Sequence, residues 1–131
     1  KEYNHKLVRT GGSVATTALD VAINMGCNPI VFVGQDLAFT NNKTHSKDTF
    51  SKDITLQSNL RPIEDVYGNI VYTPKNLYSY LRWIQNRIKK ESNIIFIDAT
   101  EGGAKIIGTK ILTLKEAIEK YSNKNIMFNI L

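Results

Sequence analysis

The sequence predicts an α/β fold: a Rossmann-like, mostly parallel sheet with helices on both faces, interrupted by a β-hairpin insertion. Three observations point there. Ile30-Val31-Phe32-Val33 and Ile94-Ile95-Phe96-Ile97 are continuous apolar runs of equal length, the pattern of strands covered on both faces. Each run is followed by polar and glycine residues, Gly34-Gln35-Asp36 after the first and Asp98-Ala99-Thr100-Glu101-Gly102-Gly103 after the second. Helical patterns flank the runs, as in parallel sheets sandwiched by helices. In open parallel sheets ligands bind outside the carboxyl ends of the strands, so the two polar segments are where chemistry is expected.

Taken in order, residues 1–8 read as a frayed lead or the remnant of a missing upstream element. Leu7-Val8 is too short for the strand expected before a Gly11-Gly12 turn, and residues 1–6 have neither an apolar signal core nor an initiator Met. Residues 9–131 read as a single α/β domain, the C-terminal part of a larger catalytic domain. Gly11-Gly12 leaves the backbone free and Ser13 starts or caps a helix. Residues 14–25 are so rich in small and apolar side chains that the helix is expected to be buried on most of its circumference. Gly26 suits the left-handed position that ends it, with Pro29 just beyond.

After Asp36, residues 40–60 form a polar stretch without periodicity, a candidate lid because long loops in compact domains are either functional or mobile. Ile63-Glu64-Asp65-Val66 and Ile70-Val71-Tyr72 flank Tyr67-Gly68-Asn69, a hairpin pattern. Thr73-Pro74 then reads as an N-cap followed by Pro at the first helical position. Leu77, Leu81, Ile84 and Ile88 form the apolar stripe of that helix, with Tyr80, Trp83 and Arg87 beside it. Residues 104–108 are ambiguous. Thr113-Leu114-Lys115-Glu116 fits a capping box opening a helix whose apolar face is Leu114, Ala117, Ile118 and Tyr121. The tail, residues 123–131, holds Ile126-Met127-Phe128, which suits an edge strand or docking on a neighbour.

Composition narrows the class. The chain has 131 residues, 42% hydrophobic and 22% charged, enough for a domain with a core. No apolar run approaches the roughly 20 residues that cross a bilayer. The single Cys27 excludes an intrachain disulfide and a cysteine metal cage, reads as a packed, inert thiol, and favours a cytoplasmic setting. Net charge is +5, from 17 Lys+Arg against 12 Asp+Glu, but the basic residues are scattered. Nucleic acid is therefore not an expected partner, whereas help in holding an anionic nucleotide is.

Several residues are candidates for chemistry. Gly11, Gly12 and Ser13 at a helix start would offer N–H groups and a hydroxyl to an anion, yet they match neither standard phosphate motif, and a plain turn is the rival reading. Asp36 suits a base, a metal ligand or a hydroxyl anchor, or simply caps a turn. Gln35, beside Gly34, has donors and an acceptor to aim at a substrate. Thr100, Glu101, Gly102 and Gly103 suit hydroxyl recognition and close ligand approach, or a tight turn needing glycine. His45 titrates in the range useful for acid–base work, although a lone loop histidine is commonly a surface residue. Tyr80 and Trp83 read as packing rather than sugar stacking.

Gly11-Gly12-Ser13-Val14-Ala15, the segment from Pro29 to Phe39, Thr44-His45 and Asp98-Ala99-Thr100-Glu101-Gly102-Gly103-Ala104 together resemble the motility accessory factor family of flagellin glycosyltransferases. That family is grouped with the MptE-like 6-hydroxymethylpterin pyrophosphokinases, and the resemblance extends over most of residues 9–121. A looser likeness to bacterial sialyltransferases that use CMP-sialic acid covers the small-residue turn, the buried helix and the Gly-x-Asp after the strand. The resemblance implies glycosyl transfer from a nucleotide-activated, nonulosonic (sialic-acid-like) sugar to a protein hydroxyl such as flagellin Ser or Thr. Asp36 and His45 would then assist proton removal. Gly11, Gly12, Ser13, Gly34, Gln35, Thr100, Glu101, Gly102 and Gly103 would contact the nucleotide or sugar, with no metal or other cofactor. The alternatives are a pyrophosphokinase in which Asp36 and Asp98 hold Mg²⁺, and a non-catalytic binding or assembly module.

Overall fold

A computed structural model describes residues 7–39 and 60–122. Residues 1–6, residues 40–59 of the candidate lid with Thr44 and His45, and the tail 123–131 lie outside the described residues.

Helix α1 spans Val14–Asn24 and β1 Ile30–Phe32. Hairpin strands β2 (Leu60–Glu64) and β3 (Ile70–Pro74) come next. Helix α2 (Lys75–Ile88), β4 (Phe96–Asp98), β5 (Lys110–Ile111) and α3 (Leu114–Tyr121) complete the order. The architecture is α/β, with a parallel three-stranded sheet in the order β1-β4-β5 and a separate antiparallel hairpin. Residues 110–111 carry no strand signature in the sequence. They pair because β4 offers its second edge, Ile97 opposite Lys110 and Asp98 opposite Ile111. Asn28 sets the β1–β4 register from below: its amide donates to Asn93 O at 3.0 Å and its carbonyl accepts from Ile95 N–H at 3.0 Å.

Alternation along β4 splits the core. Phe96 joins Leu19, Ile23, Ile30, Phe32, Leu81, Ile84 and Ile88 on the α1–α2 side. Ile97 and Ala99 join Ala117, with Tyr121 packed against them, on the α3 side. Helices thus cover both faces of β4, but not of β1: Val31 is 37% exposed and Val33, outside the strand, 55%. The all-apolar run at residues 30–33 is therefore not a strand buried on both faces, because α3 reaches β4 only.

Helix α1 also departs from expectation. Its buried residues are Thr16, Leu19, Asp20 and Ile23, while Val14 is 87% and Met25 75% exposed. The buried face is half polar because its polar groups are fully used. Thr16 closes a capping box with Ser13, and Asp20 meets α2. Cys27, expected to be packed, is exposed. Thr73 does not cap α2 either. It lies in β3, fully buried, and its hydroxyl donates to Leu37 O at 2.7 Å; Pro74 takes the N-cap position without a side-chain bond. The capping box of α3, Thr113 with Glu116, stands as expected, although Leu114 and Ile118 stay exposed beside buried Ala117.

The α1–α2 contact is built on charge. Arg87 Nε donates to Asp20 Oδ1 at 2.6 Å, with side chains 9% and 1% exposed, and Arg87 also pairs with Glu91. Asp20 Oδ2 accepts from Arg9 N–H at 2.7 Å and from Asn24 Nδ2 at 3.1 Å. Burial alone would raise the Asp20 carboxyl, but the Arg87 and Arg9 bonds and the Arg87 charge outweigh it, and it titrates below the usual range. The pair therefore contributes fully above the ordinary carboxylate range and is lost only as pH falls through the depressed value. Removing one partner of a buried pair leaves the other uncompensated, so Asp20→Ala is expected to cost about 3–5 kcal/mol. Urea unfolding at neutral pH measures this; a loss under about 1 kcal/mol would mean that the pair behaves like a surface one.

Candidate functional site

The carboxyl ends of β1 and β4 open into a cleft of about 540 Å³. Parallel register explains why: Phe32 lies opposite Asp98, so the segments leaving both strands run side by side. Backbone and hydroxyl bonds join them, Ala99 N–H to Phe32 O at 2.9 Å, Gln35 N–H to Thr100 Oγ1 at 3.1 Å and Ala104 N–H to Asp36 O at 2.6 Å. The rim is Ser13, Gly34, Gln35, Asp36, Thr100, Glu101 and Gly102; Leu37, Phe39, Leu77 and Tyr80 add an apolar wall.

Seven of the sequence-derived candidates therefore share one cleft, and among the described residues Gly11, Gly12, Asp98 and Gly103 do not line it. A Cβ on Gly11 would sit 2.6 Å from the Trp83 ring, and one on Gly12, whose φ is 91°, would sit 3.3 Å from Tyr80. This glycine pair is accounted for by the close approach of its backbone to the aromatic line of α2. Gly12 borders a different, apolar groove along the outer face of α1. Gly103 is buried with φ 69°, and a Cβ there would overlap the Asp36 carbonyl and Cα, so it serves the joint between the two strand-end loops. Gly102 has open space around its Cα and faces the cleft. His45 lies outside the described residues.

Asp98 sits beneath the cleft and is 1% exposed. Its Oδ1 accepts from Thr100 N–H at 3.1 Å, and its Oδ2 is buried without a hydrogen-bond partner among the described residues. Burial pushes this carboxyl above its usual range and the charge of Asp36 adds to the rise, outweighing the hydrogen bonds from Thr100 and from the Ile106 backbone. No Lys or Arg is among the described residues lining the cleft. No group of three or more His, Cys, Asp or Glu gathers as a metal set among the described residues. The chemistry on offer is carboxylate and amide hydrogen bonding at a rim, against an apolar and aromatic wall.

The wall was not foreseen. Leu77 belongs to the helical stripe that reads as core and Tyr80 to the line beside it; both line the cleft. Periodicity marks which side of a helix is apolar, not how far along it the core stops.

Two outcomes follow for stability. Gly103→Ala must displace the Asp36 backbone and adopt an unfavourable φ, and is expected to cost about 2–4 kcal/mol, whereas Gly102→Ala should stay within about 0.5 kcal/mol of the parent. Urea midpoints of the two variants decide it; equal effects would dissolve the distinction. A carboxyl whose folded pKa is raised stabilises below its unfolded value, and this is lost as pH rises through the folded value. Asp98→Asn should therefore gain relative to the parent as pH rises above the ordinary aspartate value of about 4; a constant difference would mean that the ionised form is not disfavoured.

A family model described as 6-hydroxymethylpterin diphosphokinase MptE-like matches residues 1–42, the stretch that carries the glycine pair, α1, β1 and Gln35-Asp36. No curated protein and no solved structure matches the chain. The family match supports the MptE-like side of the resemblance and, loosely, a transferase-type function; it does not reach the motility accessory factor or sialyltransferase likeness.

Proposed function

We propose that this chain carries part of the active site of a transferase that uses a nucleotide-activated donor, and that the group transferred is a nonulosonic, sialic-acid-like sugar delivered to a protein hydroxyl such as a flagellin Ser or Thr. The observation that carries the reading is the strand-end cleft with Gln35, Asp36, Thr100 and Glu101 on its rim and Ser13 at the start of α1. The first turn of α1 holds no acidic residue, and the N–H groups of Val14 and Ala15 lie in the turn where a helix lacks internal acceptors. That end favours the donor's phosphate. Gln35, Thr100 and Glu101 would orient sugar hydroxyls, and Phe39, Leu77 and Tyr80 would keep water from the reacting face. In the transfer step the acceptor oxygen bonds to the anomeric carbon as the bond from that carbon to the phosphate oxygen breaks. The acceptor proton passes to the Asp36 carboxylate, with His45 as the other candidate base, and the nucleotide leaves with the electron pair.

Diphosphate transfer to a hydroxymethylpterin is the second reading, favoured by the family match over residues 1–42. The oxygen donors suit Mg²⁺, which takes one or two carboxylates together with substrate phosphates; Asp36 and Asp98, whose Oδ2 has no hydrogen-bond partner among the described residues, would hold it. When bound it would neutralise charge on the transferred group. Asp36 and Glu101 on the cleft rim, beside the apolar wall, also suit the ring N–H donors of a pterin.

Thermal-shift measurement with CMP, UDP, GDP and ATP, each with and without Mg²⁺, separates the readings, because a ligand of the native state raises its melting temperature. Sugar transfer expects a Mg²⁺-independent shift with CMP. A shift confined to ATP with Mg²⁺ overturns it in favour of diphosphate transfer, and no shift with any nucleotide overturns both for this chain.

A further inference from the structure

Among the described residues only two non-glycine residues adopt a left-handed backbone, Leu37 with φ 52° and Glu101 with φ 61°. Both line the cleft, one on each wall. Such conformations are disfavoured for residues with a side chain and persist where neighbouring structure holds them. At both positions the hold has the same chemistry. The Thr73 hydroxyl donates to Leu37 O at 2.7 Å, and the Tyr67 hydroxyl donates to Glu101 O at 2.8 Å. Both donors belong to the β2–β3 hairpin, Thr73 in β3 and Tyr67 in its turn.

The hairpin is fastened to the same walls by its backbone. Phe39 N–H donates to Tyr72 O at 2.9 Å, Val66 N–H to Gly103 O at 3.2 Å and Lys105 N–H to Glu64 O at 3.0 Å. The turn is itself rigid: Asp65 Oδ1 accepts from Tyr67 N–H and Asn69 N–H, each at 2.8 Å. Tyr67 is 69% exposed, so its ring contributes little to the core and its hydroxyl is what ties it to the strand-end loop.

We propose that Thr73 and Tyr67 are positioning residues, each clamping the carbonyl of one strained wall residue, so that the hairpin sets the spacing of the cleft and aims the Glu101 carboxylate at the ligand. The proposal rests on reading the cleft as the ligand site; the clamp itself does not.

Hydrogen exchange on the full chain tests the clamp without any ligand. Tyr67→Phe keeps the ring and removes the bond. It should speed exchange of the Val66 and Ala104 amides roughly fivefold, about what one hydrogen bond supports, while Ile84 in α2 is unchanged. In a Glu101→Gly background the left-handed backbone costs nothing, so the same substitution should have a clearly smaller effect. Thr73→Val should loosen Phe39 in the same way and Thr73→Ser should restore it, which separates loss of the hydroxyl from loss of packing. Unchanged exchange at Val66 and Ala104 in Tyr67→Phe, or an equal effect in the Glu101→Gly background, overturns the proposal. CMP titration then gauges the ligand side: Tyr67→Phe should weaken binding severalfold. If the parent chain binds CMP and Tyr67→Phe binds it equally well, the clamp does not serve the ligand. If the parent binds no nucleotide, the nucleotide reading of the cleft fails while the exchange data still decide the clamp.

Discussion

The buried pair between Asp20 and Arg87 is the interaction on which the rest of this structure leans. It joins the middle of α1 to the last turn of α2, two helices that otherwise meet through a modest number of apolar groups. The second oxygen of Asp20 holds the backbone of Arg9, which fixes the chain just before the glycine pair. With Arg9 fixed and α2 alongside, the Gly11 backbone lies on the Trp83 ring and Gly12 on Tyr80, and α1 begins where its first turn borders the cleft. A buried pair need not stabilise more than apolar residues of the same shape. What it does here is specify one relative placement of two helices, because a carboxylate 1% exposed has to find its donors.

The cleft depends on a second kind of fixing. The two strand-end segments follow adjacent parallel strands, and their carbonyls and N–H groups bond directly to each other, most closely at Ala104 and Asp36. Only glycine fits at position 103 because that joint leaves no room for a Cβ. Outside the joint, the antiparallel hairpin grips both segments, and the two strained residues lie where it grips. Strain of this sort accumulates where structure is held for a purpose other than stability. The buried Asp98 lies beneath the same cleft, with one carboxylate oxygen unpartnered among the described residues and its pKa raised by burial.

Much of the fold was legible in the chain. Two of the three parallel strands, the hairpin, the three helices and the caps at Ser13 and Thr113 follow from periodicity, β-branched runs and capping chemistry, all local properties. Grouping Gln35 and Asp36 with Thr100 and Glu101 followed from a topological rule about strand ends. The failures share a cause. Residues 14–25 looked apolar all round, yet the buried side of α1 carries Thr16 and Asp20 while Val14 and Met25 face outward. Thr73 looked like a helix cap but serves a carbonyl more than thirty residues earlier in the chain. Close packing against Trp83, Tyr80 and Asp36 is a second demand on Gly11, Gly12 and Gly103, beside the ligand contact that the resemblance implies for them.

The sequence by itself determined the three helices, the hairpin, the strands β1 and β4 and which two loops carry the polar residues, since spacing and composition act over one or two turns; β5 became a strand only through the free edge of β4. Only the tertiary structure decided which glycines answer to packing, which polar residue is worth burying and which hydroxyl holds which carbonyl. Those are properties of pairs such as Asp20 with Arg87 and Tyr67 with Glu101, distant along the chain and bonded only after it has folded, and no local pattern encodes a partner's position.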